Sequence, residues 1–330
     1  MKKTILLSAI ILLLLFSCKK GENEPYQTTP YEVTIPFGFP EMQFQNDNPL
    51  TVEGVQLGRM LYYDSLLHQT GSRACASCHV QQTGFTTYAS NALPHINLGW
   101  DNVFLWNGKI EGSLEEVMLF EVEDFFQADM SKLNSDSQYP ELFKKVFGVN
   151  TITSKEAAYA LAQFLRTSVS GNSRYDRVMR NEIFFSDAES NGYEIFFTEK
   201  GDCFHCHGAP MFLDYSFHNI GLDSSFTGKE LGRYNVTANP YDSGKMATPT
   251  LRNIALTAPY MHDGRFQTLE EVVEHYNSGV KHSSTLDPIM TKPGKEFGLQ
   301  LSALEKTDLV AFLKSLTDTA YILNSALSQP

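Results

Sequence analysis

The pentapeptide C-x-x-C-H occurs twice in this chain: Cys75, Cys78 and His79 in RACASCHV, and Cys203, Cys206 and His207 in GDCFHCHG. The only other cysteine is Cys18, in an apolar N-terminal segment. No thiol is therefore left for a structural disulfide. Three chemistries use such a motif. Zinc sites pair two C-x-x-C units, or one with a spaced histidine pair. A redox dithiol has no need of the adjacent histidine, nor of a second copy. Attachment of haem c uses every residue: two thiols add to the vinyl groups and the next imidazole becomes the proximal iron ligand. Each pentapeptide thus predicts one covalent haem c, ligated by His79 or His207, and the chain must wrap two flat macrocycles.

The start MKKTILLSAIILLLLFSC has two lysines and an apolar run too short for a comfortable membrane span, so residues 1–18 read as a signal peptide. LFSC is similar to a bacterial lipobox, which makes Cys18 the lipidated first residue of the mature chain; the alternative is a plain secretory signal with an incidental cysteine. The expected location is the cell envelope or periplasm, lipid-anchored to a bacterial membrane, which agrees with attachment of haem c outside the cytoplasm. Residues 19–48 open with a polar, proline-containing stretch and are expected to be a tether. A net charge of −12 argues against nucleic acid as a partner.

The two motifs sit in a weak internal repeat. VQLGRMLYYDSLLHQTGSRACASCH and SNGYEIFFTEKGDCFHCHG share a helix carrying Gly58 or Gly192, a polar loop and then the motif. Apolar residues at helical spacing predict helices over 153–169, capped by Thr153 or Ser154, and over 301–318, with a Ser302–Glu305 capping box. Strand-like alternation is scarce. The expected class is mainly α: two cytochrome c-like haem domains with long loops, over 49–170 and 171–320.

The second half resembles the bacterial dihaem cytochrome c peroxidases and their MauG-type relatives. MATPTLRNIALTAPYMHDGRFQTLEEVVEHYNSG, over 246–279, carries the likeness; LGRMLYYD, NALP and FLWNGKIEGSLEE extend it into the first half. The resemblance implies an oxidoreductase that reduces hydrogen peroxide at the N-terminal haem with electrons passed from the C-terminal one. The donor would be a small protein, a cytochrome c or cupredoxin. In the MauG branch the chain would instead oxidise residues of a protein substrate; a dihaem electron carrier without catalysis is the rival from another class. The family's inter-haem tryptophan matches Trp106, which otherwise reads as core packing. Its distal ligand on the second haem, methionine in the peroxidases and tyrosine in the MauG type, falls on Tyr276; the competing ligands are Met261, Met246 and His275. A family calcium ion would be held by Asn91, Thr257 and Pro259, through hard oxygen donors.

The distal side of the first haem departs from the family. Peroxide cleavage needs a base and a polar partner for the leaving oxygen, and the family uses glutamine and glutamate. Here Val117 stands at the glutamine position, Glu121 at a family proline, and Gln127 near the glutamate. Glu121 and Gln127 are the candidate substitutes, with Glu123 beside them. His95 and His68 are weaker distal candidates. Replacing Cys75 or Cys203 with alanine is expected to leave one covalently bound haem per chain; acid–acetone extraction of the exported variant, followed by haem quantitation, checks this.

Overall fold

The computed structural model describes residues 26–89 and 91–330. Cys18 and the signal segment lie outside the described residues.

Two helix pairs organise the chain. The first joins helix Val52–Tyr63, whose cap Thr51 accepts from the Gly54 N–H, to helix Ser154–Arg166, where the Thr153 N–H donates to the Glu156 carboxylate at 2.9 Å. They meet backbone to backbone at Gly58. A Cβ there would stand 1.9 Å from the Ala160 carbonyl oxygen and 2.8 Å from Phe164 Cβ. Leu57, Leu61, Tyr62, Leu161 and Phe164 close the first core around this crossing.

The second pair repeats the device. Helix Asp187–Phe196 crosses helix Ala303–Ser315, which starts at the Ser302–Glu305 capping box. A Cβ on Gly192 would lie 2.0 Å from the Asp308 carbonyl oxygen and 2.8 Å from Phe312 Cβ. Around it packs a core of aromatic rings, with Tyr175, Phe196, Phe212 and Phe312 buried. Each glycine thus admits a close helix contact over a carbonyl and a phenylalanine one turn further on.

Strand among the described residues is confined to two short antiparallel ribbons, Val103–Phe104 with Ile110–Glu111 and Phe217–His218 with Met246–Ala247. The remainder is short turns and long loops, so the mainly α class with two cytochrome c-like cores holds.

One segment differs from the sequence expectation. Residues 26–48 are not a tether. The Tyr31 N–H donates to the Leu50 carbonyl at 3.0 Å, and Met42 is buried. Phe39 packs edge-on to Trp100 and under the Arg252 guanidinium, while Asn48 donates to the buried Glu115 carboxylate that pairs with Arg166. Phe39 and Met42 of PFGFPEM have partners that polarity averaged over the segment conceals. The C-terminal tail also leaves the second core for the first: Tyr321 and Leu327 are buried there, and Arg59 donates to the Ser325 and Ser328 carbonyls.

Gly192→Ala is expected to cost at least the roughly 1–3 kcal/mol of ordinary overpacking, since the added carbon meets backbone rather than a movable side chain. Thermal melting of the loaded protein should show the loss, and Gly58→Ala should behave alike.

Candidate functional site

Each C-x-x-C-H motif folds as a tight turn. Cys75–Ser77 and Cys203–His205 are single 3-10 turns, and the backbone N–H groups of His79 and His207 donate to the Cys75 and Cys203 carbonyls at 3.0 and 2.9 Å. Two thiols and one imidazole are thereby presented on one side of a short loop. The His79 Nδ1 then donates to the Phe85 carbonyl at 2.9 Å, and His207 Nδ1 to the Phe212 carbonyl at 3.0 Å. That bond fixes the tautomer and leaves Nε2 with the lone pair a metal needs. Burial lowers His79 to about 4 and lowers His207 as well, so both imidazoles are neutral ligands at ordinary pH.

Phe85 and Phe212 are a pair the sequence reading missed. Both are buried, and both are left-handed, at φ 59° and 56°. Such a conformation costs a phenylalanine about 1–3 kcal/mol, and here it turns each carbonyl toward its histidine. The available signal was one phenylalanine shortly after each motif, in HVQQTGF and HGAPMF.

Around the second motif lies a cavity of about 230 Å³, lined by Cys203, Cys206, His207, Tyr276, Met261 and Trp106. A largely apolar cavity bearing two thiols and a neutral imidazole on one wall fits a haem c. The Tyr276 hydroxyl makes no hydrogen bond among the described residues; burial, and then the Cys206 and Cys203 thiols, raise its pKa. A ferric ion at that oxygen would reverse the shift. Of its competitors, His275 is engaged by the Ile220 carbonyl at 3.0 Å, whereas Met246 and Met261 face the same cavity. His218 also borders it, held between Asp214 and Asp287, which raise it to about 12.

At the first motif, the His95 ring lies flat against His79, with centroids 3.5 Å apart and planes 16° apart. No macrocycle fits between them, so His95 stands beside the proximal imidazole and not across from it. Tyr62 holds His95 Nδ1 at 3.1 Å. His68 turns its Nδ1 to Thr70, 3.0 Å from the hydroxyl.

Helix Leu114–Phe120 packs in the same core and runs into a single π-helical turn, Glu121–Phe125, whose Glu121 interacts electrostatically with Cys75. Val117 is in the core, Glu115 is taken by Arg166, and Glu123 and Gln127 are exposed. Glu121 is half-buried; desolvation raises its carboxyl to about 7, and its charge helps raise the Cys75 thiol. The second unit repeats this arrangement, with helix Leu269–Glu274 running into a π-turn, His275–Gly279. Aligned on their capping boxes, SLEEVMLFE and TLEEVVEHY put Glu121 in register with Tyr276. Single π-turns recur at functional sites because the extra residue re-aims a side chain.

Trp106 stands between the units. It lies on the second cavity's wall, its carbonyl accepts from the Ala247 N–H at 2.8 Å, and its ring meets His262 edge-on at 6.5 Å. Asn91, Thr257 and Pro259 come together on that cavity, with the Asn91 amide donating to the Met261 and His262 carbonyls at 3.0 Å. Oxygen donors are therefore present there, and the Glu230, His262 and Asp263 side chains cluster on the same side of the cavity.

Comparison with known proteins agrees with this geometry. Residues 52–183 match the family model described as di-haem cytochrome c peroxidase. The chain is 35% identical to the methylamine utilization protein MauG of Methylorubrum extorquens, over 82% of this chain and 79% of that one. It is 30% identical to the cytochrome c551 peroxidase of Nitrosomonas europaea, over 82% and 81%. The crystal structure of a MauG-like protein associated with microbial copper homeostasis superposes with a TM-score of 0.82 at 30% identity, covering 91% of this chain and 99% of that one.

Glu121 gives a pH signature. Its carboxyl titrates at about 7 in the fold against 4.5 when unperturbed. Between those values the folded chain keeps a proton that the unfolded chain has lost, so stability falls as pH rises through 7. Relative to Glu121→Gln, the parent protein should lose on the order of 2–3 kcal/mol between pH 5 and 8, read from denaturant unfolding at each pH.

Proposed function

The chain belongs to the dihaem cytochrome c peroxidase and MauG family of oxidoreductases, and from that premise we propose that it is an exported enzyme using hydrogen peroxide as its oxidant. The observation that carries the reading is the matched pair of π-turns. One places a half-buried carboxylate, Glu121, at the first motif; the other places a phenol, Tyr276, at the second.

Bound haem supplies the irons at which peroxide is reduced and electrons are stored. Cys75 and Cys78 would hold the first, with His79 as ligand; Cys203 and Cys206 would hold the second, with His207. The carbonyls of Phe85 and Phe212 draw on the Nδ1 protons and so raise the basicity of each ligating nitrogen. Glu121, shorter than a tyrosine at the same register, would leave room at the first site for a small oxidant. Its carboxylate would take the proton from one peroxide oxygen and return it to the leaving oxygen. A group titrating near 7 suits both halves of that transfer. Gln127, exposed beyond the π-turn, is assigned no proton transfer. Reduction of one peroxide to two waters consumes two electrons and two protons; Trp106 is the relay that brings electrons from the second site.

Tyr276 favours the MauG-like branch. A phenolate is a hard, anionic donor that would lower the iron potential, which disfavours electron delivery by ordinary cytochromes and favours holding an oxidising equivalent for later use on a protein substrate. The second reading, a peroxidase fed by a cytochrome c or cupredoxin, is favoured by Met261 and Met246 on the same cavity, since a thioether ligand raises the potential. We further propose a calcium ion held by Asn91, Thr257 and Pro259 oxygens, and a lipid anchor at Cys18 that keeps the enzyme on an envelope membrane.

Tyr276→Phe is expected to change the absorption spectrum of the second haem, and Tyr276→Met to raise its reduction potential and speed oxidation of reduced cytochrome c. Spectroelectrochemical titration checks both. An unchanged second-haem spectrum and potential in Tyr276→Phe would remove the phenolate and leave the thioether reading.

A further inference from the structure

Trp106 is gripped by one excursion of the second unit, residues 228–247. Beyond the Ala247 N–H on its carbonyl, Arg233 donates from Nη1 to the Gly108 carbonyl at 2.6 Å, pairs with the Glu111 carboxylate and covers the Phe217 ring. Gly108 sits at φ +63°, and a Cβ there would lie 2.2 Å from Phe217. The loop carrying the indole is therefore pinned from both sides, with the ring directed at His262.

The same excursion contributes Glu230. His262 Nε2 and Glu230 Oε2 are 2.5 Å apart, with the histidine side chain 11% exposed and the glutamate 34%. The Asn91 amide holds the His262 carbonyl, so the imidazole is fixed from its backbone as well. Neighbouring charges are already matched: Asp263 pairs with Arg265, which also pairs with Asp223, and Arg233 pairs with Glu111. Glu230 pairs with no lysine or arginine among the described residues. Its negative charge is relayed toward the indole through one polarised imidazole.

We propose that Glu230, acting through His262, is a positioning residue that stabilises positive charge on Trp106 while the indole is oxidised. This rests on the reading of Trp106 as the relay. In the transfer an electron leaves the indole toward the first haem, and the radical cation keeps its N–H proton. An electron from the second haem then restores it. The net change is one electron moved between haems, with no proton released. A carboxylate one imidazole away from a partly buried ring favours the cationic state, because opposite charges attract more strongly where water is scarce.

The test uses full-length dihaem protein whose second haem is reduced before mixing with hydrogen peroxide. Stopped-flow absorbance follows oxidation of the second haem, and freeze-quench electron paramagnetic resonance measures the indole radical. Glu230→Gln should slow inter-haem transfer roughly tenfold and lower the radical yield, with haem content and melting temperature unchanged. Glu230→Asp, which keeps the charge, should retain most of the rate, and His262→Phe should match Glu230→Gln. Parent-like transfer and radical yield in Glu230→Gln would overturn the proposal, as would a Glu230→Asp rate no better than that of Gln. Loss of haem or of melting temperature in Glu230→Gln would assign the pair a structural role and overturn it too. Trp106→Phe separates the two readings: if it leaves transfer unchanged, the relay itself fails; if it slows transfer while Glu230→Gln does not, the charge argument alone fails.

Discussion

The hydrogen bond from a histidine Nδ1 to the carbonyl of a left-handed phenylalanine governs the architecture on both sides of the molecule. It requires the chain to turn back on itself within a few residues of each C-x-x-C-H motif, and to do so with a bulky side chain in an unfavourable backbone region. The packing around each phenylalanine compensates. Phe85 lies between the rings of Tyr62 and Tyr321, and so ties the first histidine to helix Val52–Tyr63 and to the C-terminal tail. Phe212 packs on Tyr175, Phe196 and Phe312. Arg252, fully buried, lies over its ring and is held by both oxygens of Asp176 at 3.0 Å. A buried ion pair of this kind is costly to break from one side, so the phenylalanine carbonyl has little freedom to drift from its imidazole.

The two units are the same solution with one residue exchanged where chemistry is done. Glycine crossings, left-handed phenylalanines and capping-box helices running into π-turns all recur. At the matched position one unit has glutamate and the other tyrosine. On the proposed function, the phenol would be long enough to reach a bound iron and close that site. A carboxylate of shorter reach would leave its site open and contribute a proton acceptor instead. On the proposed function, a difference of side-chain length and acidity at one register would separate a site that meets peroxide from a site that holds charge.

What the sequence made legible was whatever is encoded by residue type over a short span. The C-x-x-C-H motifs, the Gly58 and Gly192 repeat, the Thr153 and Ser302 helix starts and the position of Tyr276 all belong here. Glu121 was legible as a candidate but not as the counterpart of Tyr276, because the SLEEV and TLEEV alignment gains meaning only once both helices are seen to end in π-turns. Phe85 and Phe212 act through carbonyls, which every residue has, so their role left little trace. The folded state of residues 26–48 was hidden because Phe39, Met42 and Asn48 find partners far along the chain. Local composition reports none of that. Gln127 matched by count, yet the π-turn and a left-handed backbone at φ 48° leave its side chain exposed.

The contacts between the units bear on how fast charge can move. Arg233 and Ala247 of the second unit hold the Trp106 loop of the first, and Asn91 of the first holds the Met261 and His262 carbonyls of the second. Gln81, two residues past the first histidine, donates to the Asn324 carbonyl at 2.8 Å, while the Tyr63 hydroxyl donates to the Leu327 carbonyl at 2.7 Å. These ties reach the neighbourhood of both motifs and of the indole between them. Groups held in place before an electron arrives need little rearrangement when it does, which is the benefit of a polar environment organised in advance. Two cytochrome-like units on a flexible linker would have to find that arrangement anew at each turnover. Here the clasp and the returning tail maintain it, so the placement of Trp106 between the units is a fixed property of the fold.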